Sequence, residues 1–274
     1  MMLTFLRIVP KNLLSRIVGC IADTRLSKPF IPGFAKRYKI SLEEADKPIE
    51  EYPTLNAFFT RHLKPGKRPI DGLGDGKAVV SPVDGAVAQC GPIRDGRLIQ
   101  AKGRDYTLEG LLGDKEEAAR FQDGWFMTVY LAPTDYHRMH HYADGQVTGY
   151  RYLPGYLWPV NLKSVEGVDQ LFCVNERLTS YLDHCGTPSA IVKVGATIVG
   201  KIRCTHTPTE SNCGGGVKAE TYSRPVEVKK GDELGLFAMG STVVMLFAKG
   251  AFHPGSVCQP GERLKVGQLI GRLD

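Results

Sequence analysis

The sequence predicts an α+β protein in which a β-rich core, shaped like a sandwich or a barrel, follows an N-terminal helical segment. From about residue 76 the chain consists of short β-rich runs, separated by Gly, Pro and Asp turns at the spacing typical of all-β sandwiches and barrels. Residues 1–40 instead carry an amphipathic helical pattern. We therefore divide the chain into an N-terminal segment, residues 1–70, and a β-rich domain, residues 71–274.

The overall composition is that of an ordinary globular protein. Of 274 residues, 42% are hydrophobic and 23% are charged, which excludes a disordered chain and a collagen-like fibre. The seven cysteines are odd in number and have no CxxC spacing. We therefore expect the reduced thiols of a cytoplasmic protein, in place of a disulfide framework or a zinc ribbon.

The positive charge is concentrated at the N-terminus. Residues 1–40 contain eight Lys or Arg residues and one acid, Asp23, a net charge of +7, whereas the whole chain has +6. From Pro10 onward, Leu, Ile and Val recur at helical spacing, with Lys11 and Arg16 off that face. Charged residues interrupt the apolar runs too often for the roughly 20 residues that span a bilayer. Two interpretations stay open: a helix packed on its own domain, or a helix in the membrane interface with its basic residues facing anionic headgroups.

Residues 41–70 are predicted to begin as a helix and to continue as a loop. Ser41 is followed three residues later by Glu44, which is the spacing of a capping box. We therefore expect a helix to begin at Ser41.

Three histidines lie within five positions of the segment YLAPTDYHRMHHYADG: His137, His140 and His141. Imidazoles so spaced suit a metal site, a general base, or a loop in which backbone groups satisfy the rings. An HxxH without an acidic partner is a weak zinc signal, and nothing in the sequence fixes further ligands, so no metal is expected. The residues that would have to complete such a site are His184, Cys185, Cys204 or His206.

Asp84 and Ser241 are two further candidates. Asp84, in VVSPVDGAVA, has the Asp-Gly pattern of a hairpin turn, but a carboxylate at a strand end also suits the orienting of an imidazole. Ser241, in FAMGSTVVML, follows Gly240 inside an otherwise apolar strand, which indicates either a bulge or a hydroxyl facing the glycine carbonyl. No GxSxG elbow surrounds Ser241, so an ordinary serine hydrolase is not indicated. Asp84, His140 and Ser241 form a candidate triad.

Several motifs together resemble one family, the phosphatidylserine decarboxylases, which are pyruvoyl-dependent, self-cleaving enzymes. The resemblance covers nearly the whole chain, and its motifs occur in the family's order. The family's self-cleavage motif is usually Leu-Gly-Ser-Thr, and Met239 here replaces the leucine with an apolar residue of similar volume. Alignment on DYHRMH selects His137 and His140 rather than His141. The motifs are LNAFFTRHLKPGKRPI, SPVDG, YLAPTDYHRMH, YLPGYLWPVN, NER, VGATIVG and FAMGSTVVMLF.

The resemblance implies a zymogen that cuts itself between Gly240 and Ser241. Ser241 attacks the Gly240 carbonyl, and elimination from the resulting ester gives chains 1–240 and 241–274. Ser241 then becomes a covalent pyruvoyl cofactor. This group decarboxylates phosphatidylserine to phosphatidylethanolamine and CO₂ through a Schiff base, in the manner of an electron sink.

The resemblance also implies a role for each candidate residue. His140 is the base that activates Ser241, and Asp84 holds the tautomer of His140 and stabilises its imidazolium. His137 is the acid that protonates the product carbon. Residues 71–274 are then the catalytic domain, and residues 1–70 associate with membranes.

The expected partners are phosphatidylserine, an anionic membrane surface and the protein's own two chains, which form a heterodimer whose further oligomerisation stays open. No nucleic-acid partner is expected. The expected location is peripheral, on the cytoplasmic face of the cell membrane. Two alternatives remain. One is a pyruvoyl-dependent decarboxylase of a soluble amino acid, but such an enzyme has little use for a basic amphipathic arm. The other is an inactive lipid-binding relative, but such a protein does not need an intact Gly240–Ser241 pair.

Overall fold

A computed structural model describes residues 11–101, 103–197, 201–238 and 241–274. It is an α+β fold with a β-rich core, as the sequence predicts. Met239, Gly240 and the side chain of Ser241 lie outside the described part of the chain, so the predicted cleavage turn itself is not described.

Short helices lie before the β-rich core in the sequence and between its strands. Two 3₁₀ helices, Arg25–Phe30 and Ile49–Glu51, lie in the N-terminal segment. The α-helices among the described residues are α1 (Lys11–Ala22), α2 (Ile31–Tyr38), α3 (Leu55–Phe59), α4 (Leu108–Leu112), α5 (Lys115–Ala119), α6 (Leu162–Gly167) and α7 (Leu171–Val174).

The described strands form four antiparallel sheets. The largest has eight strands in the order β11-β7-β8-β9-β13-β5-β2-β15, and the other orders are β10-β12-β6, β1-β16-β14 and β3-β4. The strands are β1 (Ala78–Val80), β2 (Gly85–Pro92), β3 (Arg97–Ala101), β4 (Arg104–Thr107), β5 (Trp125–Leu131), β6 (Arg138–His140), β7 (Gly145–Leu153), β8 (Arg177–His184), β9 (Thr187–Val194), β10 (Lys201–Cys204), β11 (Lys218–Val228), β12 (Glu233–Ala238), β13 (Ser241–Phe247), β14 (Phe252–Pro254), β15 (Arg263–Leu264) and β16 (Leu269–Leu273).

The eight-stranded sheet is buried on both faces at β13, which explains why five of the seven residues of this strand, Val243 to Phe247, are apolar. Side chains of a strand alternate between the two faces of its sheet. Val243 and Met245 belong to the core cluster shared with β6, β10 and β12. Val244 and Leu246 belong to a second cluster, shared with α4 and α7. The three-stranded sheet that carries β6 and β12 therefore packs on one face of β13, and helices cover the other.

The helix predicted to begin at Ser41 is absent, and the prediction is wrong for a tertiary reason. The chain around Glu44 runs alongside a later segment, with an antiparallel bridge between Ala45 and Leu63. The amide of Lys64 donates to the carbonyl of Glu44 at 2.9 Å. The Glu44 carboxylate, expected to cap a helix, instead accepts from Arg68 Nη2 at 3.0 Å. A distant arginine therefore overrides the local capping pattern.

Helix α1 lies where the sequence predicts a helix, and its apolar face is turned to solvent. Leu13, Ile17 and Ile21, spaced four residues apart, are 55%, 49% and 54% exposed. The opposite face packs on the protein through Ser15 and Ala22, which are both buried. Within the ranges that the structure describes, no helix is long and apolar enough to cross a membrane.

Candidate active site

The end of β5 brings Asp84 and Ser241 to the same edge of the large sheet. In the register of the sheet Ala86 lies opposite Tyr130, and Ser241 lies opposite Leu131 on the other side of β5. Asp84 immediately precedes β2 and Ser241 begins β13. Gly85 has to be glycine here, because a Cβ would lie 2.5 Å from the carbonyl oxygen of Tyr130. The Asp-Gly pair is therefore the entry to a strand and not a hairpin turn.

Strand β6 brings the histidines to this edge. The amide of Phe237 donates to the carbonyl of His137 at 2.9 Å, so His137 lies beside the last residues of β12. On the other edge of β6, the amide of His140 donates to the carbonyl of Pro82 at 2.9 Å, which ties His140 to the loop that carries Asp84. The four candidate positions thus lie on segments that meet at one place.

His137 is a buried, neutral imidazole. Its Nδ1 donates to the carbonyl of Asp135 at 2.8 Å, which leaves Nε2 as an acceptor. No hydrogen-bond partner of Nε2 is found among the described residues. The Phe59 ring packs against the imidazole with ring centroids 4.0 Å apart. Burial lowers the pKa of His137 to about 3, so at neutral pH its Nε2 carries a lone pair.

His140 is held in the same tautomer by a different carbonyl. Its Nδ1 donates to the carbonyl of Gly231 at 2.8 Å, and the Tyr136 hydroxyl lies 3.3 Å from Nε2. Burial lowers the pKa of His140, while the hydrogen bond to Gly231, the charge of Glu233 and, to a smaller extent, the charge of Asp84 act in the opposite direction. A proton acceptor at Nε2 is therefore available in both histidines.

Asp84 contacts an arginine and not the imidazole. Its carboxylate accepts two hydrogen bonds from Arg68 Nε, at 2.8 and 3.0 Å, and a third from Arg68 Nη2. The amide of Val266 donates to the same carboxylate at 2.8 Å. The sequence led us to expect that Asp84 fixes the tautomer of His140 directly. The structure corrects this expectation, since the carbonyl of Gly231, and not Asp84, accepts the hydrogen bond from Nδ1 and fixes the tautomer.

Two of the other histidines, His184 and His206, have separate partners. His184 contacts the Asp144 carbonyl at 2.7 Å and the Ser189 hydroxyl at 2.8 Å, and His206 contacts the Ser180 hydroxyl at 2.9 Å. His141 is buried, and burial lowers its pKa to about 4. Within the described ranges, no group of three or more His, Cys, Asp or Glu residues is arranged to hold a metal ion.

Sequence reasoning missed the residues that hold the candidates in place. Arg68 clamps Asp84, Tyr136 contacts His140, and Phe59 covers His137. Arg68 and Phe59 lie in LNAFFTRHLKPGKRPI and Tyr136 in DYHRMH, so the motifs contain them, but nothing in a linear pattern assigns their contacts. The two anchoring carbonyls, of Asp135 and Gly231, leave no signal in the sequence, because every residue has a carbonyl.

A buried carboxylate clamped by an arginine and two imidazoles anchored by backbone carbonyls are groups suited to acid–base catalysis. Comparison with known proteins specifies the enzyme class as a decarboxylase. The chain belongs to the phosphatidylserine decarboxylase family, whose profile matches residues 55–272.

Relatives match over almost their whole length. A protein of Myxococcus xanthus (strain DK1622) is 45% identical over 270 residues, which cover 97% of this chain and 96% of the relative. A protein of Anaeromyxobacter sp. (strain K) is 45% identical over 273 residues, with the same coverage. A protein of Brevibacillus brevis is 42% identical over 266 residues, covering 96% of this chain and 94% of the relative. All three are named phosphatidylserine decarboxylase proenzyme.

Proposed function

We propose that this protein decarboxylates phosphatidylserine to phosphatidylethanolamine and CO₂, after cutting itself between Gly240 and Ser241. Family membership and the name proenzyme, which the relatives carry, support the reaction and the processing. The observation that carries the proposal is the convergence of Asp84, the His137–His140 segment and the start of β13 at the end of β5.

Self-cleavage needs a base that takes the proton of the Ser241 hydroxyl. We assign this role to His140, whose Nε2 is an acceptor because Nδ1 is bound to Gly231. The hydroxyl oxygen then attacks the Gly240 carbonyl, and the peptide bond becomes an ester. β-Elimination releases residues 1–240 with a C-terminal carboxylate and leaves dehydroalanine at position 241, which takes up water and loses ammonia to give the pyruvoyl group. The negative charges of Glu233 and Asp84 both favour the imidazolium that forms on His140.

The residues present fit the covalent pyruvoyl group that Ser241 is proposed to become. Such a group supplies a carbonyl that captures the substrate amine and accepts the electrons released with CO₂. The reaction also needs one proton taken from the substrate ammonium and one delivered to the α-carbon. His137 suits both transfers, because its Nε2 is a buried acceptor without a partner among the described residues.

The purified protein should consist of two chains. Mass spectrometry under denaturing conditions should find residues 1–240 and a smaller chain that begins with a ketone in place of Ser241. Borohydride should reduce that ketone and add hydrogen to the small chain alone. Ser241→Ala should give one chain that borohydride leaves unchanged. A wild-type chain of full length with an ordinary serine would refute the proposal.

Helix α1 is proposed to lie in the membrane interface, which makes the enzyme peripheral on the cytoplasmic face of the membrane. Support comes from its outward apolar stripe of Leu13, Ile17 and Ile21. Leu26 and Phe30, in the 3₁₀ helix that follows α1, are also exposed, at 79% and 67%. An exposed apolar patch of this kind marks an interaction surface. The surrounding net charge of +7 in residues 1–40 favours anionic lipid.

Replacing Ile17 and Ile21 together by Asp should lower the affinity for vesicles of phosphatidylserine and phosphatidylcholine at least about ten-fold, as measured by sedimentation. The reason is that each isoleucine inserted into the membrane contributes about 1.5–3 kcal/mol to binding. Added salt should weaken binding of the wild-type protein because it screens the basic residues. Leu73→Asp is the matched control, because Leu73 is also exposed, at 74%, but lies outside the stripe. Equal binding by the double variant and the control would show that α1 packs on its own domain and does not contribute to membrane binding.

A further inference from the structure

A cavity of about 380 Å³ lies between α1 and the strands β10 and β12. One wall comes from α1 and its C-terminal extension, and the other from the two strands and the loop that follows β10. The residues around it are Ser15, Arg16, Gly19, Cys20, Ala22, Asp23, Asn56, Lys201, Arg203, Asn212, Cys213 and Ala238.

The geometry of α1 sets where this cavity opens. Successive residues of an α-helix are rotated by about 100°. With Ser15 and Ala22 facing the protein, the stripe of Leu13, Ile17 and Ile21 faces outward. Arg16 and Cys20 then lie on the flank of the helix between these two faces. The mouth of the cavity is therefore next to the surface that we propose contacts the membrane.

The charged residues that line the cavity are mostly basic. Arg16, Lys201 and Arg203 line it together with one acid, Asp23. Lys201 and Arg203 share a single carboxylate, Glu210, with nitrogen–oxygen distances of 2.7 Å for each pair. Arg16 donates from Nε to Asn212 Oδ1 at 3.3 Å and interacts electrostatically with Glu176, which does not line the cavity. Among the lining residues themselves, three are cations and one is an acid. Arginine binds phosphate oxygens through two parallel hydrogen bonds, which makes a phosphate ester the matching ligand.

The cavity also reaches the chain that leads to Ser241. Ala238 lines it, pairs with Lys201 in the register of β10 and β12, and is the last residue of β12. Ser241 is three positions after Ala238 in the sequence, a distance of at most about 11 Å even if the chain is fully extended. A phosphodiester in the cavity would therefore hold the attached headgroup close to the reacting residue.

We propose that this cavity binds the phosphodiester of the membrane lipid, with Arg16 and Arg203 as its main contacts. This deepens the function proposed above and rests on it for the identity of the lipid. Because Arg16 belongs to the membrane-facing helix, the same helix that docks on the bilayer would also position the substrate.

Two native cysteines give a readout that is independent of activity. Cys20 and Cys213 line the cavity and are exposed, and Cys185 is exposed elsewhere, beside a different cavity. We would alkylate the wild-type protein with N-ethylmaleimide in the presence of dihexanoyl phosphatidylethanolamine below its micelle concentration. This lipid retains the phosphodiester and is not consumed. It should slow alkylation of Cys20 and Cys213 several-fold and leave Cys185 unaffected.

Variants and ligand controls identify what is recognised. Arg16→Gln and Arg203→Gln should each raise the lipid concentration for half-protection about ten-fold or more, as expected for a lost charge-assisted hydrogen bond. Arg97→Gln is the control, because Arg97 is an exposed arginine of β3 outside the cavity. Inorganic phosphate and dihexanoyl glycerol at the same concentration should protect less. Equal protection by either ligand, protection that both arginine variants retain, or no protection by lipid would overturn the proposal.

Kinetics then separate this proposal from the general function. For phosphatidylserine in mixed micelles, Arg16→Gln should raise KM about ten-fold while kcat and self-cleavage are retained, because the arginine binds a part of the lipid that does not react. An unchanged KM would contradict the proposal that the cavity binds the phosphodiester. A wild-type protein without decarboxylase activity would instead refute the function, while thiol protection would still report on the cavity.

Discussion

His140→Ala and Asp84→Ala should both remain single uncut chains without decarboxylase activity, whereas His137→Ala should cut itself and then turn over slowly. His140→Ala removes the base that activates Ser241, and Asp84→Ala removes a negative charge that stabilises the imidazolium of His140. His137→Ala should lose about 10² to 10⁴ in the rate of decarboxylation, the usual contribution of a positioned acid–base group. Gels for cleavage and a CO₂-release assay on the same samples give both readouts.

The register between β6 and β12 places the two histidines at opposite ends of β12, so the two variants change different parts of the site. His137 lies beside Phe237 near the end of β12, while His140 lies opposite Glu233 at the start of that strand. If His137→Ala stays uncut and His140→Ala matures normally, the two imidazoles have exchanged roles. His141→Ala is the matched control for a buried histidine in the same segment, and it should mature and turn over as the wild type does if the variant remains folded.

Arg68→Gln should cause the largest loss of stability among single changes at the site. The side chains of Arg68 and Asp84 are only 11% and 8% exposed. Removing one partner of a buried ion pair leaves the other charge uncompensated and costs about 3–5 kcal/mol. For a chain of this size that corresponds to a fall of about 10 °C in Tm, measurable by calorimetry on the Ser241→Ala background, where no cleavage complicates unfolding.

The matched control for Arg68→Gln is Arg97→Gln. Arg97 and Asp105 form an ion pair with Nε and Oδ2 at 2.7 Å, but their side chains are 53% and 44% exposed. Exposed pairs contribute about 0–1 kcal/mol, so this variant should melt within about 2 °C of its parent. Equal melting temperatures for the two arginine variants would show that the Arg68–Asp84 contact does not stabilise the fold.

The sequence predicts the β-rich core because alternation and turn residues are local properties. The contacts of Asp84 are not local: its partners Arg68 and Val266 lie 16 and 182 residues away. The same limit explains the wrong helix at Ser41, where pairing with a later segment outweighs a capping pattern worth about 1 kcal/mol. The family motifs contain the candidate residues, but the carbonyls that orient both histidines become visible only in three dimensions.

The place of β13 in the large sheet has a consequence for the fate of the small chain. β13 lies between β5 and β9, and both neighbours belong to residues 1–240. β15 and β16 likewise pair with β2 and β1. A cut before Ser241 therefore severs one covalent link and leaves every strand-to-strand ladder of the small chain intact. The two pieces should behave as a fragment-complemented protein: they unfold in one transition, and neither piece refolds without the other.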